Sequence, residues 1–221
     1  MTNRNRERDQ EIRTTLIDIG RMLWENGLIA GTCGNITARL DQNLVLSTPT
    51  GLAKGRLTPD DLVVTDLQGH VVSGRLQPSS ELKIHLAAYR LRPEIGAIVH
   101  AHPKTVVAHS LASLTLLSTV LPETVITLGP VPVVPYETPG TSRLAARIES
   151  VLSNHNAIIM ERHGAVTLGR DLFQAYERIE TLEHAAQTLY LAQTMGHVEP
   201  LSDDEIIRLL QLGTGGVTGE V

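Results

Sequence analysis

The chain has 221 residues, 42% hydrophobic and 19% charged, which is enough apolar content to bury one sizeable core and too much for disorder. Lys and Arg number 19 against 24 Asp and Glu, and aromatics are 3%, so the basic footprint that grips a phosphate backbone or an anionic membrane is missing, as is a base-stacking platform. Cys33 is the single cysteine, which excludes an intrachain disulfide and a thiolate zinc cage and leaves His and carboxylates as the available metal ligands.

No stretch approaches the roughly 18 uninterrupted apolar residues of a membrane span. The opening MTNRNRERDQEIR is charged, with no signal-like apolar run behind it. A cytoplasmic protein is the expectation.

Apolar residues at Ile12, Leu16, Ile19 and Leu23 predict a helix within 10–27, stopped by Gly27. GTCGNITARL reads as a loop opening into a strand, and NLVLSTPTG as a strand followed by a turn at 48–51. LVVTD at 62–66 pairs with HVVS at 70–73 through Gly69. Pro78, Ser79 and Ser80 introduce a helix over ELKIHLAAYRLR, with Glu81 in its first turn near the positive end of the dipole. Residues 96–100 read as a buried strand, and Pro103 opens a helix over KTVVAHSLASL.

The stretch around Glu123 reads as a loop. PVPVVPYETPGT, with four prolines, reads as an extended edge segment or loop. Thr141 caps a helix to about Ser153. AIIM at 157–160 and AVTL at 165–168 are short strands around Glu161, Arg162, His163 and Gly164. Asp171 caps a long helix to about Met195, and Ser202 with Glu205 forms a capping box on a last helix that Gly213 ends. The expected architecture is a single α/β domain over 1–221 with a mobile glycine-rich tail at 213–221. Its sheet is mixed or mainly antiparallel, with helices on its faces.

His100 and His102 stand two apart in AIVHAHP, so a strand points both imidazoles to one face. Such a pair at the end of an apolar strand is satisfied either by ligating a cation or by hydrogen bonding. His163, in the turn ERHGAV, supplies a third nitrogen for a catalytic metal site or is a plain hairpin-tip residue. Glu81 is either a dipole-favouring carboxylate or a base beside a metal. The other histidines, His70, His85, His109, His155, His184 and His197, have no partner at ligand spacing and read as surface or locally satisfied residues. Three turns carry small hydroxyl, amide and glycine residues suited to an anion: Gly34 and Asn35, Thr50 and Gly51, Ser79 and Ser80. Ordinary turns use the same residues for their own hydrogen bonds.

In chain order, GNIT at 34–37, TPTG at 48–51, SSE at 79–81, HAH at 100–102 and RHG at 162–164 resemble the class II aldolase/adducin family, especially its L-fuculose-1-phosphate aldolase branch. The likeness runs from about 10 to 195. It implies a central, mainly antiparallel sheet between helical layers and a homotetramer with active sites near subunit boundaries. It also implies a zinc site, with Mn2+ or Co2+ as alternatives, made by His100, His102 and His163. Glu81 would be the acid/base that also approaches the metal, and Gly34, Asn35, Thr50, Gly51, Ser79 and Ser80 would cradle the phosphate of a small sugar substrate.

The implied activity is that of a zinc-type aldehyde-lyase: cleavage of a ketose 1-phosphate to dihydroxyacetone phosphate and an aldehyde. The fuculose phosphate aldolases use tyrosines for the aldehyde oxygen, one after the HAH helix and one near the C-terminus. Here none lies between Ser110 and Pro135, and the last is Tyr190. Glu123 and Tyr136 become candidates for that pocket, and 5-deoxy or 5-methylthio pentulose 1-phosphates stand beside fuculose 1-phosphate as substrates. Glu rather than Asp at 81 argues against the 4-epimerase branch. Epimerase, decarboxylase and dehydratase chemistry, or a non-catalytic adducin-like interaction domain, are the alternatives.

Overall fold

A computed structural model describes residues 3–114 and 119–214. Its helices are α1 (Asn3–Glu25), α2 (Leu82–Leu91), α3 (Lys104–Leu111), α4 (Pro122–Leu128), α5 (Ser142–Leu152), α6 (Leu172–Met195) and α7 (Asp203–Thr214). Its strands are β1 (Asn35–Arg39), β2 (Leu44–Ser47), β3 (Val63–Asp66), β4 (Val71–Ser73), β5 (Ala97–Ala101), β6 (Val133–Val134), β7 (Ala157–Met160) and β8 (Gly164–Gly169). They form one sheet in the order β4-β3-β2-β1-β5-β8-β7-β6, antiparallel throughout except where the two-residue edge strand β6 runs parallel to β7. The single α/β domain with a mainly antiparallel sheet is therefore as the sequence implied.

The two-residue period of the strands divides the core. Ala97, Val99 and Ala101 of β5 join one apolar cluster with Leu16, Ile19 and Leu23 of α1 and Ile179 and Leu182 of α6. Ile98, between them, joins the other with Leu86 of α2 and Ile148 of α5. His100 falls by alternation on the Ile98 face. The register sets Asn35 of β1 and Val166 of β8 directly beside it.

Side-chain caps appear at the three expected positions, although at Ser202 only one half of the expected capping box is seen, the Glu205 carboxylate pairing with Arg208. Thr141 Oγ1 accepts from Leu144 N at 3.3 Å, Asp171 Oδ1 from Gln174 N at 2.8 Å and Ser202 Oγ from Glu205 N at 3.3 Å. Buried Glu183 of α6 does the same work across helices. Its carboxylate accepts from Thr105 N and Oγ1 and from Val106 N, satisfying the free amides that open α3 immediately after HAHP.

Several expectations need correction. The segment around Glu123 is α4, with Pro122 in its first turn and Thr124, Val125 and Leu128 buried at helical spacing, so a short amphipathic pattern was hidden behind the prolines that follow. Helix α1 begins at Asn3, before its apolar stripe, and an Arg13–Asp9 ion pair at 2.9 Å supports that polar turn. Gly213 does not end α7, which runs to Thr214. A Cβ there would lie 2.6 Å from Ile126 O, so the glycine serves the close approach of α7 to α4. Of the tail expected at 213–221, only 213–214 are described, and 215–221 lie outside the described residues. No described helix is long and apolar enough to cross a membrane.

Candidate active site

Three chain segments converge at one end of the central strands. His100 lies in the last turn of the pleat of β5, and His102 follows the strand, with its amide held by Leu28 O at 2.9 Å. His163 comes from the β7–β8 turn, which the pairing of β8 with β5 brings alongside. The rings sit 4.9 Å (His100–His102), 4.9 Å (His100–His163) and 5.1 Å (His102–His163) apart, and ligand atoms of all three lie within 4.8 Å of one another. Glu81 closes the group: Oε2 is 3.2 Å from His100 Nε2 and Oε1 is 3.3 Å from His163 Nε2. The sequence placed Glu81 inside the first turn of α2. It stands instead at the N-cap, and its side chain makes no cap bond because it points to the imidazoles.

Gly164 is more than a turn residue. A Cβ would meet Ala101 O at 2.4 Å, His102 Cδ2 at 2.8 Å and His100 Cε1 at 3.0 Å, so only glycine lets β8 and the two rings come this close. Arg162 beside it holds a positive φ of 61° with its amide bonded to Ser110 Oγ at 3.0 Å, tying the His163 turn to α3.

This donor set fits a divalent cation. His100 Nδ1 donates to Ala165 O at 2.9 Å, which leaves Nε2 to point inward, only 3.1 Å from His102 Nε2. Donors around a tetrahedral zinc lie about 3.3 Å apart, close to the 3.1 Å between His100 and His102 and to the 3.2 and 3.3 Å from Glu81 to His100 and His163. Glu81 Oε1 is buried without a hydrogen bond among the described residues, as a carboxylate awaiting a cation would be. Burial lowers His102 to about 3 and His163 to about 4, with His100 adding to each, so both are neutral and ligand-competent. For Glu81, burial pushes the carboxyl up. The hydrogen bond and charge interaction with His100, helped by His163 and His85, outweigh it and hold the group at about 2.

The three anion turns are tied to this centre. Asn35 Nδ2 donates to Glu81 Oε2 at 3.1 Å, and its buried Oδ1 has no partner among the described residues. Gly34, at φ 74°, passes so near that a Cβ would lie 2.8 Å from His100 O. Thr50 N donates to Gln77 O at 3.0 Å and Ser79 N to Thr48 O at 3.3 Å, joining the second turn to the third. Thr50, Gly51 and Ser80 are exposed, and Ser79 Oγ accepts from Glu81 N at 3.3 Å. Asn35 and Ser79 thus touch Glu81 directly, and the turn at Thr50 and Gly51 joins the Ser79 turn through backbone bonds.

Tyr136 N donates to Glu161 Oε2 at 2.9 Å, which brings this exposed tyrosine beside the His163 turn, whereas Glu123 is exposed in the first turn of α4. A cavity of about 760 Å³ opens at the far end of the sheet, among Arg39, Gly96 and Asp171, away from the imidazoles.

Two histidines differ from the surface reading. His85 is buried on α2, held through Nδ1 by Thr37 Oγ1 at 2.8 Å, with Nε2 unpartnered among the described residues; burial lowers it to about 3. His109 is buried with neither nitrogen partnered among the described residues. His70 is paired at the surface with Asp66 and His155 with Val151 O, as expected. Sequence reasoning missed Lys54 altogether. It is only 3% exposed, and its Nζ bonds Thr32 O at 2.6 Å and Leu52 O at 3.0 Å, between the first two anion turns. A lone lysine just after TPTG, before the next strand, was the available signal.

An antiparallel sheet thus gathers three imidazoles that could hold a metal ion, and a carboxylate, beside small-residue turns. The family model described as Class II Aldolase and Adducin N-terminal domain matches residues 14–190, and the chain belongs to that family. The 3-oxo-tetronate 4-phosphate decarboxylase of Haemophilus influenzae is 35% identical over 86% of this chain and 92% of its own length. The 5-deoxy-D-ribulose 1-phosphate aldolase of Bacillus thuringiensis serovar kurstaki is 33% identical over 90% and 94%. The solved structure of L-fuculose-1-phosphate aldolase from Thermus thermophilus matches with a TM-score of 0.76 at 32% identity, covering 86% of this chain and 98% of that one. The family is generally dependent on a divalent metal.

Proposed function

We propose that this protein is a zinc-dependent aldolase, with Mn2+ or Co2+ as substitutes, that splits a ketose 1-phosphate into dihydroxyacetone phosphate and an aldehyde. The observation that carries the reading is the Glu81 carboxylate set 3.2 Å from His100 and 3.3 Å from His163, with the anion turns bonded to one another next to it. His100, His102 and His163 would hold the ion. When bound, the ion supplies a Lewis acid for the substrate's carbonyl and neighbouring hydroxyl oxygens.

The chain's own residues do the rest. Gly34, Asn35, Thr50, Gly51, Ser79 and Ser80 grip the phosphate and so orient the reacting carbons from a distance. Asn35 Nδ2, bonded to Glu81 Oε2, fixes the carboxylate's aim. As the C3–C4 bond breaks, the C4 hydroxyl gives up a proton and C3 gains one; Glu81, a carboxylate in the resting site, would take up the C4 proton and return it at C3, ending as it began. The stretch without tyrosine between Ser110 and Pro135 favours a substrate whose far end is a methyl or methylthio group, with fuculose 1-phosphate as the other choice. The protein is proposed to act in the cytoplasm as a homotetramer, one catalytic domain per chain.

The likeness to a decarboxylase supports a second reading, loss of carbon dioxide from a 3-oxo sugar acid phosphate. A product assay separates the two. Zinc-loaded protein should release dihydroxyacetone phosphate, read by coupled NADH oxidation, from at least one of fuculose, 5-deoxyribulose and 5-methylthioribulose 1-phosphates. Carbon dioxide from 3-oxo-tetronate 4-phosphate without triose phosphate from any ketose establishes the second reading. Unchanged mass with altered configuration indicates an epimerase, water loss a dehydratase, and inertness on all substrates the adducin-like interaction role.

A further inference from the structure

We infer that Lys54 is the fixed positive charge of the anion site: its buried ammonium organises the first two turns and finds its ion-pair partner in the substrate's phosphate. The inference rests on the reading that these turns bind a phosphate. Lys54 is buried, and an ammonium has three N–H donors. Two are committed, to Thr32 O at 2.6 Å and Leu52 O at 3.0 Å. Among the described ion pairs none includes Lys54. A cation this well buried is normally paired, and one that is not marks a place where a counter-ion belongs.

The position of the amine says which counter-ion. Thr32 lies two residues before Gly34, and Leu52 follows Gly51, so Nζ bridges the two turns from behind. The second turn is bonded to the third through Thr50 N and Ser79 N. A dianion cradled by these turns would sit in the field of this charge. Otherwise the turns offer small neutral groups, and those groups alone discriminate poorly between a phosphate and a neutral hydroxyl. Burial lowers the amine's pKa, whereas Cys33 and Glu81 push it back up. Its environment is therefore one in which an incoming anion strengthens the charged form.

The alternative is that Lys54 merely clamps two loops, and charge separates the cases. Lys54→Gln keeps amide donors for the two carbonyls but removes the charge, and Lys54→Arg keeps the charge. Calorimetry with inorganic phosphate on the zinc-loaded full chain should show phosphate affinity reduced at least tenfold in K54Q and within about threefold of wild type in K54R, with metal content equal in all three. The 15Nζ resonance of Lys54 in the wild-type chain should shift on adding phosphate, a measurement that does not depend on any variant folding. Wild-type affinity in K54Q, equal losses in K54Q and K54R, or a 15Nζ signal indifferent to phosphate overturns the inference. If the wild type releases triose phosphate while K54Q binds phosphate normally, only the role of Lys54 falls. A wild type that neither binds phosphate nor turns over any sugar phosphate removes the functional reading as well.

Discussion

Glu81→Gln should leave a folded, metal-loaded protein whose kcat is about a thousandfold lower, the scale of a lost proton-transfer group. The amide is nearly isosteric with the carboxylate: its oxygen still accepts from Asn35 Nδ2, and the backbone amide still donates to Ser79 Oγ. The turns and their grip on phosphate should therefore be intact, and KM should move only a few-fold. What is lost is the capacity to carry a proton between the substrate's carbon and its surroundings. Steady-state kinetics beside metal analysis reads this directly. An E81Q protein with full activity takes the glutamate out of the mechanism, and one that has lost its metal makes Glu81 a ligand first.

The second large effect is expected from His100→Ala. This imidazole sits at the centre of the group: Nε2 lies 3.1 Å from His102 and 3.2 Å from Glu81, while Nδ1 is anchored on Ala165 O. Removing it deletes both a donor and the group that orients its neighbours. Metal affinity should fall about a hundredfold or more, the range lost when such oriented ligands are disturbed, and activity should fall below detection. His70→Ala provides the control, because that ring is an exposed partner of Asp66. Elemental analysis of both variants after purification without chelators should show metal retained in H70A and lost in H100A. Equal metal in the two would contradict the proposed coordination.

The order of the sequence signals explains what was readable. His100 and His102 were legible as a pair because a strand's two-residue period is local, whereas the small-residue turns read by themselves as ordinary turns and only the family likeness tied them to a phosphate. The convergence of His163 was not local: it depends on β8 pairing with β5, which sets Ala165 beside Ala101. Spacing alone left His163 as ligand or hairpin tip, and the family likeness supplied the assembly. Gly164 was read as turn chemistry, although the atoms that require it, Ala101 O and the His102 ring, are about 60 residues away in sequence.

Burial was the least legible property. His85 resembled any polar residue on a helix, yet its partner is Thr37 Oγ1 on a strand of the sheet. Lys54 resembled a surface lysine until the packing of its segment against α1 enclosed it. Helix α4 was obscured because Gly129 and the prolines after it dominate a window that also holds a seven-residue helix. In each case the missing information was which distant element lay alongside.

Proton and cation compete for the same nitrogens, which makes the state of the centre depend on its occupant. His102 and His163, lowered by burial to about 3 and 4, offer free lone pairs throughout the neutral range. Three inward lone pairs facing a carboxylate are stable together when a cation stands between them. Diffraction at the zinc absorption edge from crystals of protein purified without chelators tests this most directly. It should show one anomalous peak about 2.1 Å from a nitrogen of each of His100, His102 and His163. An active protein with no peak among those three rings, or with its metal bound elsewhere, would contradict it.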